Sequence, residues 1–192
     1  MYILVIGDTH IPDRADRIPS QLLEAIESGK PWDIAVFTGD FTGKEVLEWF
    51  KKLGREIHYV TGNMDYLPLP RTRVFNADNI RFGVHHGDGV YPRGNPVGLT
   101  RIASSLGVDV LLTGHTHSPF IKHGTTRNIL LVNPGSLTGV WGGGGGSMKP
   151  SMMIIEVSND KLSIEHYELE HGRLRTRRIV VIKKDNEWIL PS

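Results

Sequence analysis

The stretch Ile3-Leu4-Val5-Ile6-Gly7-Asp8-Thr9-His10 decides how this chain is read. Its aliphatic, largely β-branched run has the character of a buried strand. The run stops at a glycine, and two side chains that are costly to bury follow at once. In open α/β sheets ligands gather beyond the carboxyl ends of the strands, so Asp8 and His10 stand where a site is expected. If the strand direction continues, alternation places both on one side of an extended segment. That would offer an oxygen and a nitrogen donor to a divalent cation. Taken singly, Asp-x-His could equally cap a helix or solvate a loop. Its weight depends on what the other strand ends supply.

Working outward, the same punctuation recurs. Ser20 reads as the N-cap of a helix over 21–28, with Leu22, Leu23 and Ile26 inward and Gly29 as its stop. Residues 32–38 form a second apolar strand, closed by Gly39-Asp40. The spacing of Val46, Leu47, Phe50 and Leu53 predicts a helix over 44–53, halted by Gly54. A third strand over 56–60 runs into Thr61-Gly62-Asn63-Met64-Asp65. Successive strand–helix units of this kind predict a parallel-type sheet. Beyond them, strands over 71–76 and 80–85 lead to His85-His86-Gly87-Asp88, then a Gly/Pro-rich loop and a helix over 99–106. A strand over 108–112 enters Thr113-Gly114-His115-Thr116-His117, and one over 129–132 enters Asn133-Pro134-Gly135-Ser136. The run Gly142–Gly146 reads as a flexible loop; no Lys-Ser/Thr or helix follows to make it a phosphate cradle. After Ser151 the pattern is all β, with strands over 152–157, 161–169 and 174–182.

The 192 residues are expected to form a single domain over 1–192, with ordinary hydrophobic (39%) and charged (22%) fractions. A formal net charge of +1 excludes a global basic field. With no cysteine, disulfide and thiolate chemistry are excluded, and any metal must be held by His, Asp, Asn or Glu. No apolar run approaches the roughly 20 residues of a membrane span, and no basic leader precedes the first strand; the default expectation is a cytoplasmic enzyme without membrane contact. Arg173, Arg175 and Arg177 share one face of a late strand, with Lys183 and Lys184 beyond. Charge protecting an edge strand is the preferred reading, and nucleic acid enters only as a substrate. A homodimer through the second sheet is left open.

Five strand ends thus carry ligand-capable groups: Asp8 with His10, Asp40, Asn63, His86, and His115 with His117. Seven donors exceed the needs of one ion and suit two divalent ions sharing a carboxylate, with Asp40 the natural bridge. Two metals roughly 3.5–4 Å apart are a device for in-line attack on phosphorus. Alternation should turn His85 away from its neighbour His86. His58, His123, His166 and His171 lie outside the motifs, as surface or satisfied core residues. Asp65 could orient the site or serve its own turn, Asn133 and Ser136 suggest a buried turn under the His115 loop, and Asp13, Arg14 and Arg93 flank the site.

The ordered set Asp8-x-His10, Gly39-Asp40, Gly62-Asn63, His86-Gly87 and Gly114-His115-x-His117 resembles the calcineurin-like metallophosphoesterases. More narrowly, it resembles their small phosphodiesterases related to the retromer subunit Vps29. His10-Ile-Pro-Asp-Arg14, Tyr91-Pro-Arg-Gly94 and Asn133-Pro-Gly-Ser136 add to the likeness. The resemblance implies a four-layer α/β/β/α sandwich of two mixed sheets with a dinuclear site on its rim. One ion would take Asp8, His10, Asp40 and His117; the other Asp40, Asn63, His86 and His115. Manganese is the expected metal, with Ni, Fe, Zn, Co or Mg as alternatives. The implied reaction is phosphodiester hydrolysis by a metal-bridging hydroxide attacking in line, with Asp40, Asn63 and His86 at the catalytic centre. Two departures stand out. Many relatives carry a proton-donating His where this chain has Met64, and a thioether donates no proton; activated leaving groups should therefore be favoured. Asp88 replaces a His common in relatives, and its charge needs a proton, a metal or a partner such as Arg93. Alternative readings are a Vps29-like protein-binding scaffold with weak or no catalysis, and a nuclease or cyclic-nucleotide phosphodiesterase.

Overall fold

Alternation along β1 (Tyr2–Ile6) sets the layers of the computed structural model, which describes residues 1–191. Ile3 and Val5 face one way, into a core with Ile34, Val36, Phe82, Val110 and Val132. Leu4 and Ile6 face the other way, onto α1 (Ser20–Ser28) and α2 (Lys44–Phe50) through Leu22, Ile26, Leu47 and Phe50. A strand buried on both faces must be apolar throughout, which is why Ile3–Ile6 reads as an unbroken run.

Beside β1 lie β2 (Trp32–Phe37) and β3 (Gly54–Tyr59), all parallel. On the opposite side of β1 follow β9 (Ser151–Ser158), β10 (Lys161–Glu170), β11 (Arg173–Lys184) and β12 (Glu187–Ile189), paired antiparallel. The second sheet runs β4 (Thr72–Ala77), β5 (Ile80–His85), β6 (Val110–Leu112), β8 (Leu130–Asn133), β7 (Phe120–His123). Its centre β5–β6–β8 is parallel and both edges are antiparallel. Helix α3 (Pro96–Leu106) covers the outer face of this sheet through Leu99 and Ala103 against Leu111 and Leu131. The result is the expected α/β/β/α stack of two mixed sheets.

Several local expectations change. Ser20 is not the cap of α1: the chain enters from Pro19, with no side-chain cap bond. Helix α2 ends at Phe50 and Gly54 opens β3 instead of merely stopping a helix. Helix α3 begins at Pro96, because Asn95 caps it by accepting Val97 N–H at 2.8 Å and proline suits a first turn. Two short strands, β7 and β12, carried no signal; each takes its conformation from the neighbour it pairs with. β12 delivers Trp188, fully buried, into the core between the sheets. There its indole N–H donates to the Asp109 carbonyl (3.0 Å) and its own carbonyl accepts His123 Nε2–H (2.7 Å). Beyond β12 the outer edge of β11 pairs with no strand over 173–181 among the described residues, and Arg173, Arg175 and Arg177 are exposed there, in keeping with charge on an edge.

Candidate metal centre

The carboxyl ends of β1, β2 and β3 in one sheet and of β5 and β6 in the other meet at one end of the sandwich. Backbone bonds tie the loops that leave them: Asp8 N–H to Gly39 O (2.9 Å) and His10 N–H to Asp40 O (3.1 Å) in the first sheet, Gly114 N–H to His86 O (2.8 Å) in the second and, between sheets, Leu137 N–H to Gly7 O (3.0 Å). These loops bring together all seven donors singled out by the sequence. One oxygen, Asp40 Oδ2, lies 3.3 Å from His10 Nε2 and 3.3 Å from His86 Nε2, so it stands between two clusters. On the first side, donor atoms of Asp8, His10, Asp40 and His117 lie within 4.8 Å of one another, all four residues buried. His10 Nε2 faces His117 Nε2 at 3.1 Å, and His117 Nε2 lies 3.4 Å from Asp8 Oδ1. On the second side, His86 Nε2 is 3.2 Å from Asn63 Oδ1, and the His115 ring lies 5.1 Å from the His86 ring.

The grip is not made as alternation suggested. β1 ends at Ile6, and Asp8 and His10 leave the extended conformation with φ of 50° and 48°. Asp40, His115 and His117 share this left-handed backbone, at 61°, 69° and 53°. Such φ values are uncommon outside glycine and collect at sites whose surroundings enforce them. Close approach is the reason for the glycines: a Cβ on Gly62 would fall 2.1 Å from Asp40 Oδ1, and one on Gly142 would fall 2.6 Å from His117 Cγ.

Two of the imidazoles are oriented by backbone. His86 Nδ1–H donates to Thr38 O (2.8 Å) and His117 Nδ1–H to Val140 O (2.7 Å). In the neutral rings this leaves each Nε2 lone pair aimed at carboxylate oxygen. Acceptor facing acceptor at such distances repels unless a positive charge lies between, and that is the arrangement a divalent cation completes. A proton supplies the charge otherwise: burial alone would depress the His86 imidazolium, but Asp40 and Asp8 outweigh it and raise His86 to about 9. For Asp40, burial favours the neutral form, yet the bond to and charge of His86, with Met64 N–H and His10, together outweigh it and hold it at about 2. Burial pushes His10 and His115 down to about 4, keeping those rings neutral and free to ligate. The donor set therefore fits one or two cations of the kind that accept mixed nitrogen and oxygen ligands. Among the described residues His10 Nδ1 has no hydrogen-bond partner, so no backbone carbonyl fixes that ring as one does for His86 and His117.

Supporting residues fall largely where the sequence put them. Asp65 orients the site: its carboxylate accepts Asp40 N–H (2.9 Å), Gly62 N–H (2.8 Å) and Thr42 N–H (2.9 Å). Removing it in Asp65→Ala orphans these donors. The expected outcome is a loss of about 2 kcal/mol of stability and about tenfold or more of metal affinity, read by thermal melting and metal titration. Asn133 donates to Gly114 O (2.7 Å), and Ser136 donates to Asp8 O (2.7 Å), which braces both donor loops. His85 turns away, accepting Gly87 N–H through Nδ1 (2.9 Å). His58 stacks on Phe75, His123 is bonded and His171 is exposed, while His166 is half-buried with its Nε2 unpartnered among the described residues. Asp88 pairs with Arg71 at 3.0 Å and not with Arg93.

The Gly142–Gly146 run is more than a spacer. Its first residues, with Trp141, wall a cavity of about 170 Å³ together with Arg14, Asp40, Asn63, Met64, Arg93, His115 and His117. Arg14 Nη1 donates to Trp141 O (2.9 Å) and Arg93 Nη1 to Gly142 O. Asp13 is exposed outside the wall. Sequence reasoning missed Trp141; the one available signal was a large aromatic beside five glycines. A larger apolar cavity, about 690 Å³ between α1 and α2, is lined by Ile18, Leu23, Val46 and Trp49 and holds none of the seven donors. The small cavity, by contrast, is walled by four of the donors, Asp40, Asn63, His115 and His117.

Comparison with known proteins agrees with this geometry. Residues 1–160 match the calcineurin-like phosphoesterase superfamily domain. A probable metallophosphoesterase of Methanocaldococcus jannaschii is 46% identical over 138 residues, covering 72% of this chain and 69% of that protein. Another, from Methanothermobacter thermautotrophicus, is 38% identical over 168 residues, covering 86% and 91%. Among solved structures, wild-type Vps29 of Entamoeba histolytica complexed with Zn²⁺ superposes with a TM-score of 0.83 at 34% identity, covering 94% of this chain and 99% of that one. In fold, in sequence and in the convergence of its donors, this chain belongs to the calcineurin-like phosphoesterase family.

Proposed function

We propose that the protein is a dinuclear-metal-dependent phosphodiesterase. The observation that carries this reading is the shared position of Asp40 Oδ2 between two donor clusters, 3.3 Å from a histidine of each. Asp8, His10, Asp40 and His117 would hold one ion, and Asp40, Asn63, His86 and His115 the other, manganese being the preferred occupant. Bound divalent cations supply Lewis acidity there, lowering the pKa of water and offsetting charge on phosphoryl oxygen.

The chain's own groups do the rest. His86 and His117 are fixed in tautomer and direction by Thr38 O and Val140 O, so they cost no reorganisation on binding. Asn63, exposed at the mouth, can turn its amide N–H toward a phosphoryl oxygen. Arg14 and Arg93 place two positive charges in the cavity wall, complementary to a phosphate anion. Met64 lines the same cavity and offers no proton to a departing alkoxide.

That last feature decides the test. With Mn²⁺, bis-p-nitrophenyl phosphate is expected to turn over at least about a hundredfold faster than a simple alkyl diester, the low end of what a positioned general acid contributes. Equal rates would mean that another group protonates the leaving oxygen. No turnover of any diester, in a protein that still binds metal, would leave a Vps29-like binding role as the better reading of the fold.

A further inference from the structure

Trp141 is out of character for its position. It is 59% exposed, yet it belongs to the wall of the cavity that holds Asp40, Asn63 and His117. An exposed indole normally costs order or packing; this one is pinned at its base from both sides. Its carbonyl accepts Arg14 Nη1–H at 2.9 Å, the preceding Val140 carbonyl accepts His117 Nδ1–H at 2.7 Å, and the following Gly142 carbonyl accepts Arg93. The Arg14 guanidinium also lies 5.7 Å from the ring centroid, backing the indole with a cation. What remains is an aromatic surface held in a fixed place, backed by Arg14, largely open to solvent and adjoining the cavity of about 170 Å³ that holds four of the donors. Fixed aromatic faces beside a phosphate site are what nucleobases stack upon, and stacking is tolerant of base identity because every base has a π-face.

We propose that Trp141 is a nucleobase platform, so that the phosphate esters this site takes are those of nucleosides or nucleotides. The base stacks on the open indole surface while the phosphate reaches the donors beneath. The phosphate half of this inference rests on the phosphodiesterase reading; the platform half does not, because it is read by binding.

Calorimetric titration with adenosine 5′-monophosphate and with ribose 5-phosphate isolates the base, since both are phosphate monoester dianions of the same sugar and only one carries a base. Protein with and without Mn²⁺ is titrated with each. The expected result is about tenfold tighter binding of the nucleotide, as one base stack contributes. That ratio should fall to near one in Trp141→Ala and largely return in Trp141→Phe. Equal affinities in the unmodified protein, or a ratio that survives Trp141→Ala, would overturn the platform. So would binding of neither ligand. A protein that shows the Trp141-dependent ratio but cleaves no diester would keep the platform and lose the hydrolase, so the two failures are told apart.

Discussion

Asp40→Asn is expected to lower kcat/KM for bis-p-nitrophenyl phosphate with Mn²⁺ by about a hundredfold to a thousandfold, the range seen when a fixed charge-stabilising group is removed. Asparagine is the informative replacement. Asp40 has φ of 61°, a conformation that asparagine tolerates and most other side chains resist. Its amide oxygen can still accept Met64 N–H, now 2.8 Å from Asp40 Oδ1. The loop is therefore kept while the negative charge between the two clusters is lost. Metal content measured on the same protein should fall together with turnover. Turnover within tenfold of that of the unmodified protein would show that the Asp40 charge is not shared between two ions and would end the dinuclear proposal.

Trp188→Ala is expected to cost about 3–5 kcal/mol, the usual range for deleting a buried large aromatic. The side chain is fully buried in the core between the sheets. Its loss also removes the indole N–H that bonds the Asp109 carbonyl at 3.0 Å, an oxygen that still accepts Leu130 N–H at 2.9 Å, so the cost is that of the lost packing. At roughly 2–4 °C per kcal/mol for a domain of this size, the midpoint should drop by about 10 °C. Asp109 precedes β6, whereas His115 and His117 follow it, so Trp188 sits at the end of the sandwich away from the donors. Below the new midpoint kcat/KM should stay as it was. A cost under about 1 kcal/mol would mean that the β11–β12 hairpin frays in solution and that the core closes without it.

The two predictions mark different degrees of legibility. Asp40 was visible because Gly39-Asp40 closes an apolar strand, and chemistry at strand ends follows from the fold class. Trp188 was invisible: β12 has three residues, and nothing in Glu187-Trp188-Ile189 says that its indole crosses to the Asp109 carbonyl 79 residues earlier. Helix starts failed similarly. Ser20 is a good cap by type but a side-chain cap bond depends on backbone geometry, and Asn95 won at α3 because its side chain met Val97 N–H.

The order of apolar runs and the residue types that end them were enough, by themselves, to determine a parallel-type sheet and seven metal-capable donors, because a buried strand must be apolar and strand ends are where polar groups can stand; the sandwich of two mixed sheets followed only from the family resemblance those donors carry. How those donors converge was settled only by tertiary structure. His10 and His117 meet at 3.1 Å across 107 residues, on left-handed backbone that contradicts the extended Asp-x-His the alternation suggested. The wall of the cavity is tertiary as well: Arg14, Arg93, Trp141 and the glycines after it come from loops whose paths depend on contacts with each other, and no local propensity encodes such contacts.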